Sequence, residues 1–299
     1  MLDFQEITIK DKDVLNQFLK KSTFRNCDFS FANIYCWAPK YRTSYAIEGG
    51  FLFFRFWAGG KKPGYMYPIG DGCLKTALET IIADSKERNE PFRMFALTRE
   101  MYENVEKVYP GKFDYNPNRS WFEYIYSTED LITLRGKKLQ SKRNHINKFK
   151  KTYRYEYLRI TPDIIPECLE LYSKWCKENG NCSDPSLIDE RMSVERAFAG
   201  FEQLGLIGGV LRVDGTIVAY SYGQALTADT FGVHAEKSLY EIEGGFTMIN
   251  QQFAENECSG YTYINREEDL GLESLRKAKL SYHPVILLEK GIATEKSES

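Results

Sequence analysis

Between residues 205 and 264 the chain reads as three apolar segments, 205–213, 216–224 and 229–236, then a helical stretch at about 244–257 and a further apolar segment, 261–264. Asp214-Gly215 separates the first two, a pair that tolerates positive φ at both centres of a two-residue hairpin. Leu226-Thr227-Ala228 separates the second from the third. Three successive antiparallel strands followed by a helix and another strand must close into a mixed sheet with helices on its faces. Apolar spacing predicts helices over 164–179 and 189–204 before these strands. After them it predicts a short helix over 272–280 and a last strand over 285–288. The order from residue 164 onward is ααβββαβαβ.

The first half repeats this layout more loosely. A helix is predicted over 12–21, and strands over 41–47 and 51–57 flank the turn Glu48-Gly49-Gly50. After the loop 58–64, a strand over 65–69 leads to a helix over 72–88, with Leu74, Leu78, Ile81 and Ile82 at helical spacing. Strands over 92–97 and 121–126 enclose a helix over 99–109. The fold class is therefore α+β, a mixed α/β chain. The expected division is a domain over 1–135, a basic linking helix over 136–154, a second domain over 155–290 and a disordered polar tail over 291–299.

Bulk properties exclude several classes. A net charge of −2 rules out a generally basic nucleic-acid or membrane binder, so any cationic patch must be local. No apolar run reaches the roughly 18 residues of a transmembrane helix, and the N-terminus lacks a signal-peptide core, so a cytoplasmic location is expected. Seven cysteines form no CxxC pair and read as reduced, buried residues. Cys168, Cys176 and Cys182 lie close together, but no His completes a zinc pattern, so no metal is expected. There is no GxSxG, HExxH or P-loop, and His145, His234 and His283 are too widely spaced for a triad.

The informative residues are charges on faces that should be apolar. No acid occurs between Asp130 and Glu156, and residues 135–154 carry nine Lys and Arg. At helical phase Leu139, Ile146, Phe149 and Tyr153 form one stripe. Lys142 lies within it, and Arg143 and Lys150 lie on its border. A lysine in a packing stripe needs a partner or an escape to solvent. A phosphate held beside the helix is one answer and a solvated basic face is the other.

The stretch INREEDLGLESLRKAKLSYHP repeats the choice, with Arg276 and Lys279 on the side of Leu272 and Leu275. Its acids Glu267, Glu268 and Asp269 are either helix caps or groups that meet a substrate amine. In FGVHAEK, strand alternation puts Phe231 and Val233 on one face and His234 and Glu236 on the other, which leaves Glu236 as a candidate proton acceptor. Gly244-Gly245 opens the next helix, where free N–H groups could receive a phosphate.

The blocks GKKLQSKRNHINKFKK, HAEKSLYEIEGGFTMINQQFA and NREEDLG followed by RKAKLSYHP together resemble the DUF2156 family, which is related to the C-terminal domain of phosphatidylglycerol lysyltransferase. The element order is likewise the layout of the GNAT N-acyltransferases. The resemblance implies two GNAT-like domains in tandem, each a mixed, mainly antiparallel sheet flanked by helices, with a groove between them. It implies transfer of an acyl or aminoacyl group from an activated donor, aminoacyl-tRNA or acyl-CoA, to an amine or hydroxyl. A small molecule or lipid headgroup would be the acceptor, and no cofactor would be tightly bound. The matching positions are Lys142, Arg143, Asn147, Glu236, Lys237, Asn265, Glu267, Glu268, Asp269, Arg276 and Lys279.

The expected roles are Glu236 or Asp269 as the base, and Lys237, Asn265, Glu267 and Glu268 as substrate contacts. Lys142, Arg143, Lys150, Gly244, Gly245, Arg276 and Lys279 would hold phosphate. SLYEIEGGF lacks the Q/R-x-x-G-x-G/A pattern with which many GNAT acetyltransferases hold coenzyme A, and this leaves the donor open. The alternative reading is a non-catalytic GNAT-like module that binds tRNA or another phosphate-bearing ligand.

Overall fold

The structure, a computed structural model, describes residues 1–58, 62–178 and 184–296. Cys182, part of the 58–64 loop, the end of the 164–179 helix and the last three residues of the expected tail lie outside them. In chain order the first elements are β1 (Gln5–Glu6), α1 (Lys12–Leu19), α2 (Phe31–Tyr41), β2 (Ser44–Glu48), β3 (Phe51–Phe56), β4 (Gly64–Tyr65), β5 (Ile69–Gly70), α3 (Leu74–Glu87), β6 (Arg93–Thr98), α4 (Arg99–Val108) and β7 (Phe113–Pro117). There follow β8 (Glu123–Ser127), α5 (Thr128–Thr133), α6 (Gln140–Thr152), β9 (Tyr155–Arg159), α7 (Ile165–Glu178), α8 (Pro185–Ala199) and α9 (Phe201–Leu204). The last are β10 (Ile207–Val213), β11 (Thr216–Ala225), β12 (Thr230–Ser238), α10 (Gly245–Glu257), β13 (Tyr263–Glu268), α11 (Glu273–Leu280), β14 (Ile286–Leu288) and β15 (Lys290–Glu295).

Both sheets are mixed. The first runs β1-β2-β3-β4-β6-β15-β7, with β5 beside β3. Its β2–β3 hairpin turns through Gly49 and Gly50, at φ of 58° and 79°, as a two-residue turn between paired Glu48 and Phe51 demands. The second sheet runs β14-β8-β13-β12-β11-β10-β9. Asp214 and Gly215, at φ of 48° and 86°, turn β10 into β11. β12 and β13 are parallel, joined through α10. The second core is built from Tyr124, Phe149, Leu211, Phe231, Met248, Phe253 and Ile264. α6 enters it through Ile146 and Phe149, with Leu139 just before the helix, all members of the stripe read from the sequence.

The chain divides into two compact units that are not contiguous in sequence. One comprises 1–123, 268–272 and 287–299, and the other 124–267 and 273–286. This differs from the expected division: the basic helix is an internal part of the second unit, and a segment of the C-terminal half belongs to the first. The expected tail over 291–299 is also corrected as far as its described residues, 291–296, reach. Lys290–Glu295 forms β15, paired on one side with β6 and on the other with β7. Its alternation is weak because it has neighbours on both edges, and Ala293 is fully buried between them.

Elements α2, α5 and β7 were not expected. Pro39 lies inside α2, which continues to Tyr41 and ends at Arg42 in a left-handed conformation. Ser30 caps its start, Oγ accepting from the N–H of Asn33 at 3.1 Å.

Candidate functional site

In the second unit, the parallel strands β12 and β13 pair only at Thr230–Tyr263, Phe231–Ile264 and Gly232–Asn265, although β12 runs on to Ser238. Beyond that point two side-chain pairs bridge them. Glu236 Oε1 accepts from Arg266 Nη2 at 2.8 Å, and His234 Nδ1 lies 2.7 Å from Glu267 Oε1. The backbone of β13 is satisfied here by side chains: Asn265 Oδ1 accepts from the Glu267 N–H at 2.8 Å, and Lys279 Nζ donates to the Arg266 carbonyl at 2.5 Å. Carboxyl ends of parallel strands are where ligands of open α/β sheets commonly bind.

A bulge sets which residues face this site. Tyr222 pairs with Ala235 while Gly223 pairs with Val233, so His234 is an extra residue in β12. The expected alternation therefore fails, and Glu236 returns to the side of Phe231 and Val233, towards α10. There Glu236 Oε2 accepts from Asn250 Nδ2 at 3.1 Å. Lys237 takes the opposite side, donating to Glu190 at 2.8 Å with its ammonium 3.6 Å from the Trp175 ring centre.

Around Glu236 the charge is in excess on the positive side. Arg266 is 12% exposed and lies over Tyr282, 5.0 Å from the ring centre. Burial opposes its charge, but Glu236 together with Tyr126 and Tyr282 more than offsets it, so the guanidinium is held above its ordinary value. The Lys142 ammonium stands 4.0 Å over the same ring. Burial, and then the nearby Arg266 charge, push it down to about 8. Lys279, itself buried, spends its ammonium on the Arg266 carbonyl, and its own carbonyl accepts from Tyr126 Oη at 2.8 Å.

Three buried polar atoms in this neighbourhood have no partner: Arg266 Nη1, Asn250 Oδ1 and Ser221 Oγ. Ser221 is the cross-strand partner of Glu236. Orphans of this kind are few in native folds and ask for an explanation.

Other expected residues have structural work. Arg143 donates to the Leu134 and Gly136 carbonyls and to Gln140, closing the turn before α6. Lys150 is exposed and Arg276 partly buried. Gly244 sits at φ 83°, where a Cβ would lie 3.0 Å from the His145 carbonyl, and Gly245 donates its N–H to Ile242 at 3.0 Å. Backbone conformation and the approach of α6 favour glycine at Gly244, and Ser238 and Ile242 crowd the position of Gly245. Leu272 is 56% exposed and lies outside α11, so the expected apolar face of that helix is narrower than its phase suggested.

Asp269 and Glu268 belong to the first unit. Fully buried Asp269 accepts from Arg119 at 3.1 Å and from the Gly271 N–H at 2.8 Å, closing the turn that precedes α11. Glu268 joins Asp28 and Glu123 around Lys290, whose ammonium donates to each at 2.6 Å. Cys27, Asp28, Glu123 and Glu268 bring ligand atoms within 4.8 Å of one another, and Lys290 supplies a positive charge among these carboxylates. Burial drives the Glu123 carboxyl up to about 7 against the pull of Lys290.

Sequence reasoning missed Arg266, Asn250, Tyr282, Ser221 and the Lys290 cluster. One signal was present: Arg266 stands two residues after core Ile264 and so shares its strand face. Among the described residues no helix is long and apolar enough to cross a membrane.

Residues 20–293 match the family model described as phosphatidylglycerol lysyltransferase, C-terminal. A conserved protein of unknown function from Bacteroides thetaiotaomicron VPI-5482 is 46% identical in sequence, with TM-score 0.94 over 99% of this chain and 100% of that one. The structure of L-PGS from Bacillus licheniformis is similar at TM-score 0.66 and 15% identity, over 97% of this chain and 93% of the other. An uncharacterized protein from Mycoplasmoides gallisepticum (strain R(low / passage 15 / clone 2)) is 24% identical over 235 residues, which is 71% of this chain and 74% of that protein. The likeness to L-PGS is one of fold, in keeping with a tandem GNAT-like architecture. With nearly its whole length matched by the family model, the chain belongs to the phosphatidylglycerol lysyltransferase C-terminal family.

Proposed function

We propose that the protein is an acyl- or aminoacyltransferase acting at the Glu236–Arg266 site of the second unit. The observation that carries this reading is the nearly buried Glu236–Arg266 pair with the Lys142 ammonium beside it, in a member of a transferase family. In the reaction an acceptor nitrogen or oxygen forms a bond to the acyl carbon and the donor's ester or thioester bond breaks. The acceptor loses its proton, and the donor's oxygen or sulfur leaves. Lys142 is the group here best matched to taking that proton near neutrality, because its ammonium is already held low. Arg266 and Lys279 supply the positive field for the developing oxyanion or for a donor or acceptor phosphate.

The donor class remains aminoacyl-tRNA or acyl-CoA, and the acceptor a small molecule or lipid headgroup. Incubating the full chain with charged tRNA and acyl-CoA panels, with and without amine and hydroxyl acceptors, tests the reading. Transfer abolished in Lys142→Met supports it, and turnover equal to wild type would remove Lys142 from the chemistry.

A second reading rests on a separate observation. Lys137, Lys138, Lys150, Lys151 and Arg154 are exposed along and beside α6, with no acid between Asp130 and Glu156. A non-catalytic module would bind tRNA through this face. Binding that weakens steeply with salt, with no transfer from any donor, favours it.

A further inference from the structure

We infer that the Glu236–Arg266 site binds a small zwitterion, a primary amine carried beside a carboxylate or phosphate, through Arg266, Asn250 and Ser221. This inference rests on the transferase reading for its purpose, since the bound amine would be the acceptor. It rests on separate observations for its chemistry.

The orientation of Asn250 is fixed by its partner. Its amide nitrogen donates to the Glu236 carboxylate at 3.1 Å, an acceptor that could not receive a carbonyl oxygen. Its Oδ1 is consequently the atom left over, a buried acceptor without a donor in a residue 3% exposed. Arg266 is the mirror case. One terminal nitrogen, Nη2, is committed to Glu236 at 2.8 Å, and the other, Nη1, is a buried donor without an acceptor. Both orphans flank one carboxylate, so a donor need and an acceptor need lie within the span of a small molecule.

A purely anionic ligand would satisfy Arg266 Nη1 and leave Asn250 Oδ1 bare beside Glu236, with which the anion would clash electrostatically. A purely cationic ligand would satisfy Asn250 Oδ1 but meet Arg266 and Lys142 unscreened. A ligand with both charges meets both needs. Its ammonium donates to Asn250 Oδ1 and towards Glu236, and its anion accepts from Arg266 Nη1. Ser221 Oγ, the third orphan, lies on the strand directly opposite Glu236 and can donate or accept. Leaving such buried groups unpaired is unfavourable, and a fitting ligand recovers that free energy.

The test is calorimetric titration of the full chain without any donor. The panel is glycine, L-lysine and phosphoethanolamine as zwitterions, ethanolamine as amine alone, and acetate and inorganic phosphate as anions alone. The expected result is that at least one zwitterion binds about tenfold or more tightly than either half. Preference among the zwitterions then tells an amino-acid carboxylate from a headgroup-like phosphate. Asn250→Ala should remove that preference for zwitterion over anion while leaving anion binding in place. Ser221→Ala reads the same site should Asn250→Ala fail to melt cooperatively.

Anions binding as tightly as zwitterions would overturn the inference, as would a panel that gives neither heat nor a shift in melting temperature. Because no donor is present, the inference can fail while transfer is observed with another acceptor. Equally, zwitterion binding with no transfer from any donor defeats the transferase reading alone.

Discussion

Arg266 and Glu236 hold each other at 2.8 Å across two parallel strands beyond the last residues at which those strands pair. The pair takes over a task that backbone hydrogen bonds perform elsewhere in the sheet, and it does so with both side chains nearly buried, at 12% and 10% exposure. Removing one charge leaves the other desolvated. Glu236→Ala is therefore expected to lower stability by about 3 kcal/mol, and Glu236→Met combined with Arg266→Met to recover most of it. Urea denaturation of the two variants checks this; equal losses would mean that the pair's partners, and not its charges, hold the strands.

Lys142 gives a pH signature. Its ammonium has an ordinary value of 10.5 and is held at about 8 in the folded chain. Between those values the unfolded chain binds the extra proton, so stability rises as pH climbs from about 8 towards 10.5 and is flat in this respect below. Lys142→Met should erase that rise and raise Tm at pH 7 by about 2–4 °C. Melting curves across this range decide it, and a rise that survives the substitution belongs to another group.

The Lys290 cluster behaves in the opposite sense. Glu123 is raised from 4.5 to about 7, so the folded chain holds a proton there that the unfolded chain has lost. Its contribution is most favourable below 4.5 and is lost as pH rises through 7. Glu123→Gln should accordingly flatten the dependence and stabilise at pH 8 relative to wild type. Lys290→Met strands three carboxylates, two of them partly and one fully buried, and should cost about 3–5 kcal/mol. Denaturant midpoints at pH 5 and pH 8 separate the two variants.

Gly244 tests whether the glycine pair serves backbone or ligand. At φ 83°, with the His145 carbonyl close by, Gly244→Ala is expected to destabilise by about 1–3 kcal/mol. Affinity for inorganic phosphate, titrated on the folded variant, should not change. Weakened phosphate binding at unchanged stability would restore the ligand role.

The sequence disclosed the parts of the fold that depend on local signals. The Asp214-Gly215 and Gly49-Gly50 turns, the α6 stripe and the order of β10, β11, β12, α10 and β13 all follow from turn chemistry and periodicity over a few residues. What it concealed depends on contacts distant along the chain. A one-residue bulge at His234 reversed the face of Glu236, and alternation carries no mark of such an insertion. Lys290 looked like the edge of a polar tail because its three carboxylates lie up to 262 residues away. Arg266, Asn250 and Ser221 were hidden for a different reason. Each is an ordinary residue of its element, and only their shared approach to Glu236 makes them a site.

β15 carries a consequence for how this chain is made. It is synthesised after β8 to β14, yet it lies between β6 and β7 within the first sheet and brings Lys290 to Glu123. β7 has no paired neighbour in that sheet until residues 290–295 arrive. The unit that contains β1 to β7 is thus completed late, after every strand from β8 to β14 has been synthesised. Vectorial synthesis ordinarily lets the leading domain finish first. Here the unit synthesised earlier must wait, partly assembled, for residues 290–295 to close it.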